Sequence, residues 1–137
     1  IDRIYVDETD QLTLIPDNII MTFFRYEYPI KHIEKLDDII TLPDPLSIAA
    51  MKAFALGRRS KWKDYVDLYF ILQHHSLKEI VEKAHKYYSA GEFDEKLFRI
   101  QLAYHSDISY IEPVEYMPGF AVDDNIIKKK LTEISLS

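Results

Sequence analysis

The chain has 137 residues, no cysteine and a formal net charge of -6, which suits a single domain and excludes a disulfide framework, a thiolate metal site and non-specific nucleic-acid binding by the whole surface. Hydrophobic residues make up 47% and aromatic residues 13%, a composition that argues for a well-filled interior and against disorder. No apolar run approaches the roughly 20 residues of a membrane span and no signal peptide opens the chain, so a cytoplasmic protein without membrane contact is expected.

The sequence starts at Ile1, directly in strand-like residues, as expected of a piece of a longer protein. Ile1 to Val6 reads as a strand from its β-branched and aromatic side chains, with Asp7-Glu8-Thr9-Asp10 as its turn. Leu12 to Ile15 and Ile19 to Tyr28 continue the pattern, joined by a hairpin connection at Pro16-Asp17-Asn18. The alternation in Phe24-Arg25-Tyr26-Glu27-Tyr28 marks a half-exposed strand that Pro29 ends. Lys31 to Lys35 fits either a loop or a helical turn, and Ile39 to Leu42 is a short strand.

Asp44 then caps a helix with Pro45 in its first position, where the missing N–H is harmless. From Leu46 to Leu56 only Ser47 and Lys52 are polar, so this helix is apolar on every face and belongs in the interior. Lys52 is thereby a cation in a core. Gly57 suits a left-handed helix end, and Ser60 an N-cap for the next helix, Lys61 to Leu72. In that helix Asp64 and Asp67 lie three residues apart on one face. At about 1.5 Å of rise per residue, Lys52 and Asp64 stand at similar heights in an antiparallel pair, with Asp67 about one turn deeper. A buried charge costs several kcal/mol unless paired, so the three should face one another. Two arrangements satisfy that requirement: an ion pair that pins the hairpin, or a polar site left open for a ligand. Arg58, Arg59, Lys61 and Lys63 crowd the same turn and read as a solvated basic surface unless a neighbouring site calls for phosphate ligands.

Ser76-Leu77-Lys78-Glu79 is a capping box for a helix whose inner face carries Leu77, Ile80, Val81, Ala84 and Tyr88. Gly91 separates it from a helix over Asp94 to Tyr104, Tyr110 to Gly119 is a packed loop, and a last helix starts near Asp123. His74 and His75 point about 100° apart on a helix and do not converge on a metal. Glu8 and Asp10 have the spacing of an acidic pair but sit in a turn. Gly57, Gly91 and Gly119 are too scattered to cradle a phosphate. Strands followed by helices give an α+β arrangement, with residues 1–43 as a strand region and 44–137 as a helical region.

Several of these blocks, in order, resemble the AbiEii/AbiGii-type nucleotidyltransferase toxins: Phe23-Phe24-Arg25-Tyr26-Glu27-Tyr28-Pro29, Asp44, Ile48-Ala49-Ala50-Met51-Lys52, Arg59, and Lys63-Asp64-Tyr65-Val66-Asp67-Leu68-Tyr69. The resemblance continues through Leu77, Lys86-Tyr87 and Leu102-Ala103-Tyr104 to Asp107. It implies a polymerase-β-like nucleotidyltransferase core, whose sheet the antiparallel strands here would extend, followed by a helical bundle. It also implies transfer of a nucleotide from a nucleoside triphosphate, with Mg²⁺, to an RNA (such as tRNA) or protein acceptor, and neutralisation by a cognate antitoxin. The family's lysine falls on Lys52 and its Asp-x-x-Asp on Asp64 and Asp67 as catalytic residues, with Lys52, Arg59 and Lys63 near the phosphates of nucleotide or acceptor. The usual Arg-Gly of the turn stands here as Arg59-Ser60. The family's Gly-Ser segment and the paired acids that hold the metal are expected upstream of Ile1. No residue of this chain is assigned to metal, and the chain alone is expected to be inactive.

Phosphoryl transfer needs metal-bridged phosphates, a cation on them and a placed base. Lys52 fits the cation, and Asp64 or Asp67 the base or an orienting contact. The alternatives are a non-catalytic protein-interaction module whose Lys and Asp charges are structural, and a different nucleotide-dependent enzyme that shares the core.

Overall fold

A computed structural model describes residues 4–137, so the start of the first expected strand, residues 1–3, lies outside the described residues. The fold is α+β. Strands β1 (Ile4–Glu8), β2 (Gln11–Leu14) and β3 (Met21–Phe24) form an antiparallel sheet in that order, and β4 (Glu34–Leu36) and β5 (Ile40–Leu42) form a two-stranded ladder. Helices α1 (Pro45–Leu56), α2 (Trp62–Ile71), α3 (Leu77–Tyr87), α4 (Glu95–Ala103) and α5 (Asp124–Ser135) follow.

Asp17 and Asn18 turn β2 into β3 through the left-handed region, at φ 48° and 63°, which Asp and Asn tolerate better than most residues. The strand expected to reach Tyr28 stops at Phe24. Phe24 pairs with Gln11, the first residue of β2, and beyond it the ladder ends in the backbone bond from Arg25 N to Asp10 O at 2.9 Å. Glu34 and Lys35, the end of the stretch that fitted a loop or a helical turn, join Leu36 in β4 because β5 supplies a ladder.

Asp44 accepts from the Ser47 amide at 2.6 Å and opens α1 as expected. No residue from Leu46 to Leu56 is exposed, and Ser47, Ala49, Ala50, Ala53 and Leu56 are fully buried. Its alanines let α1 lie close against α2, α3 and α4, as the central helix of the bundle. Tyr65, Leu68, Ile80, Phe98, Leu102, Ile127 and Leu131 complete the core around it. Both halves of the Ser76 and Glu79 capping box are formed, and Asp94 and Asp123 cap α4 and α5.

Two expectations at the hairpin turn are corrected. Gly57 has φ -68°, right-handed, and a Cβ there would meet its neighbours only at ordinary contact distance. Ser60 does not cap α2; its hydroxyl donates to Asp107 at 3.2 Å. Backbone bonds from Ser109 N to Ser60 O (2.7 Å) and from Trp62 N to Ser109 O (3.0 Å) tie the turn to a segment nearly 50 residues downstream in the chain, and this bridge, not a side-chain cap, fixes where α2 begins. Among the described residues no helix is long and apolar enough to cross a membrane.

Candidate functional site

The α1–α2 hairpin places Lys52 opposite the first two turns of α2. Lys52 is the one charged side chain of a helix that is otherwise in contact with the core along its length. Its Nζ donates to Asp64 Oδ1 at 2.8 Å and lies 2.7 Å from Asp67 Oδ2. Arg59, from the turn, donates Nε to the other Asp64 oxygen at 3.1 Å. The expected convergence of Lys52, Asp64 and Asp67 is present, and Arg59 joins it. Both carboxylates reach the same ammonium, although Asp67 is one turn further along the helix.

The two acids are not equivalent. The Asp64 side chain is 0% exposed, with one oxygen on each cation, whereas Asp67 is 49% exposed and engages Lys52 through one oxygen only. Three residues advance a helix by about 300°, so the pair is offset by about 60° around the axis. That offset takes Asp67 from the helix interface to its rim. Lys52 itself is 21% exposed, at the open side of the cluster.

Burial draws the Lys52 ammonium toward neutrality, but the hydrogen bonds it donates to Asp64 and Asp67, together with their charge, outweigh it and raise its pKa. Lys52 is therefore a cation at neutral pH. An ammonium has three donors; two are used by the carboxylates, and the third has no partner among the described residues. Arg59 uses only Nε, leaving its two terminal nitrogens unbonded and its side chain 48% exposed.

Lys63 is not part of this cluster. It and Lys61 both pair with Glu112, from the loop between α4 and α5. Their hydrogen bonds hold the Glu112 carboxyl well below the usual range, at about 2. Glu112 is the organising residue that the sequence did not expose, because its partners are about 50 positions away and nothing local marks it. Arg58 turns to the far side of the hairpin, donating to the carbonyls of Phe54 and Glu92 and lying 3.6 Å over the Phe54 ring.

His74 is exposed and His75 stands 3.9 Å from Glu79. Glu8 and Asp10 are exposed at the end of β1 and in its turn. Among the described residues no three His, Asp or Glu side chains gather as metal donors. Both Asp64 oxygens are already occupied by cations, so Asp64 offers no free carboxylate oxygen to a Mg²⁺ ion.

The family described as the nucleotidyl transferase AbiEii toxin of a type IV toxin–antitoxin system has a model that matches residues 25–133, a span that contains the whole cluster. An uncharacterized protein of Aquifex aeolicus (strain VF5) is 30% identical over 128 residues, covering 90% of this chain and 61% of that protein. The chain thus spans less than two thirds of the length of this relative. No solved structure matches the chain.

Proposed function

The chain belongs to the AbiEii nucleotidyltransferase toxin family, and we propose that it supplies the phosphate-binding and proton-accepting side of a site that transfers a nucleotide from a nucleoside triphosphate to an RNA or protein acceptor in the cytoplasm. The observation that carries this reading is Lys52, held cationic at the open side of a buried hairpin with one N–H unused. A structural ion pair has no need of that spare donor.

Asp64 fixes the two cations. With one oxygen on Lys52 and the other on Arg59, it sets their spacing and is fully occupied. Asp67 keeps one oxygen unengaged and half-exposed, which favours it over Asp64 as the group that accepts the acceptor's proton. The third N–H of Lys52 and the terminal nitrogens of Arg59 bind phosphate oxygens, so that negative charge developing on the leaving pyrophosphate meets positioned donors. Lys63 and Lys61, which share the single Glu112 carboxylate and keep a net positive charge, stand further out, where an acceptor phosphate would have to displace that carboxylate. The Mg²⁺ that such chemistry uses would be held by acids outside this sequence, and a cognate antitoxin would be the protein partner.

The test is transfer of label from α-labelled triphosphates to total RNA or cell protein by the full-length protein with Mg²⁺. Lys52→Ala should lower labelling by about 100-fold or more, the cost of removing a placed electrostatic donor. Labelling at the wild-type level in Lys52→Ala contradicts the proposal. It would favour the second reading, a non-catalytic interaction module, whose support is the complete burial of Asp64 between two cations, as in a hairpin pin.

A further inference from the structure

The face of α2 that presents Asp67 continues, three and four residues on, as Phe70 and Ile71. These side chains form one wall of a cleft of about 630 Å³, and the loop between α4 and α5 forms the other with Val114, Tyr116, Met117 and Phe120. Asp67 lines the cleft and is also bonded to Lys52, so the apolar space and the charged cluster share a residue. The volume lies within the range of about 300 to 1,000 Å³ common to small-molecule sites.

Its walls are aromatic and edge-packed. Phe70 meets Tyr116 and Phe120 edge-on, with centroids 6.4 and 6.3 Å away, an arrangement that supports each ring without stacking it. The Tyr116 hydroxyl is buried with no hydrogen-bond partner among the described residues, and a buried hydroxyl left unbonded is costly. His74 and Glu115, both exposed, add polar groups to the lining.

We infer that this cleft takes a nucleobase, supplied either by the triphosphate or by an unpaired acceptor end. The inference deepens the nucleotidyltransferase reading and rests on it. A nucleotide joins a flat π-surface to an anion through a short ribose link, and here an aromatic cleft joins a spare ammonium donor through one carboxylate residue. A base offers a π-face to aromatic walls, and the exposed His74 and Glu115 of the lining supply polar groups for its edge. Phe70, Tyr116 and Phe120 would then set base preference, while Lys52 and Arg59 serve every nucleotide alike.

Met117 lines the cleft and Met21 lies on β3, so methyl-¹³C-methionine NMR of the full-length protein reads the inference directly. The Met117 signal is assigned by its loss in Met117→Leu. Nucleoside triphosphates or a short single-stranded RNA should shift that methyl upfield by ring current and leave Met21 in place, whereas ribose 5-phosphate should not move it. Response to triphosphate alone assigns the base to the nucleotide substrate; response to RNA alone assigns it to the acceptor. Phe70→Ala should weaken the response about tenfold, the effect of losing one aromatic platform. Phe120→Ala, on an exposed loop position, should do the same without disturbing the core. An unmoved Met117 at saturation, or an equal shift with ribose 5-phosphate, overturns the inference. Transfer activity with an unmoved Met117 spares the proposed function, and a base-dependent shift in a protein that transfers nothing spares the cleft and removes the activity.

Discussion

The strand region and the helical region are both rich in large apolar side chains, yet they treat them in opposite ways. Before residue 44 only Thr13 and Ile30 are buried among the described residues, while Ile4, Tyr5, Ile20, Phe23, Phe24 and Ile39 are exposed. After it, α1 to α4 and α5 close a continuous interior around the alanines of α1. The contrast follows from what each element needs. Helices in a bundle cover one another's stripes, whereas a sheet of two or three short strands needs a second layer on its face before its apolar residues leave water. Aromatic contacts join the regions: the Tyr26 and Tyr88 hydroxyls share a 2.6 Å hydrogen bond, and Tyr28 meets Tyr88 and Phe54 edge-on at 4.7 and 5.1 Å. The site belongs to the region that completes its own core, and its rigidity comes from there.

The contrast is broken most readily through the core. Leu102→Ala should cost about 2 to 5 kcal/mol in chemical denaturation of this chain, the range for a buried leucine, while Phe23→Ala on exposed β3 should cost less than about 0.5 kcal/mol. Equal losses would show that the strands hold a core of their own. Asp64→Ala should cost about 3 kcal/mol, because truncating one member of a buried ion cluster strands the others. Asp67→Ala, at the rim, should cost less than about 1 kcal/mol. If the two aspartates behaved alike, the division into an inner and an outer carboxylate would fail.

Two pH limbs sharpen the same picture. Burial pushes the Tyr65 hydroxyl up to about 12, so the folded state favours the neutral phenol. That contribution, about 2 to 3 kcal/mol for a shift of this size, is complete below pH 10 and is lost as pH rises through 12. Alkaline unfolding should therefore be steep in the wild type and flatter in Tyr65→Phe. Glu112 gives the smaller effect and the opposite sign. Its carboxyl is lowered to about 2 by Lys61 and Lys63, so its contribution is present above the ordinary glutamate range and is lost as pH falls toward 2. The side chains are partly exposed, so Glu112→Gln should change stability by less than about 1 kcal/mol and flatten only the acid limb.

Much of the helical region was readable because its signals are local. The capping groups at Asp44 and Ser76, and a lone lysine in an apolar helix facing an Asp-x-x-Asp stripe, need only neighbours three or four positions away. What escaped was set by distance along the chain. Ser60 reads as a cap until Ser109 claims its backbone, and the pairing of Lys63 with Glu112, about 50 positions away, leaves no local mark in the sequence. The offset of about 60° between Asp64 and Asp67 follows from helix geometry. Which of the two it drives inward depends on how α1 and α2 dock, and that is a property of the packed pair. The strands were expected to extend a larger sheet; among the described residues their large apolar side chains, such as Phe23, Phe24 and Ile39, are exposed.

Lys52 serving a ligand and Lys52 serving the hairpin are separated most directly by a double-variant cycle in the full-length protein, with Lys52→Met and Asp67→Leu measured singly and together for stability and for nucleotide transfer. If Lys52 and Asp67 act on a ligand, each single variant abolishes transfer, Asp67→Leu shifts stability by less than about 1.5 kcal/mol, under the cost of a broken buried pair, and the double variant stays inactive. If the single variants lose both stability and transfer and the double variant restores both, the pair is a structural pin and the catalytic assignment is wrong.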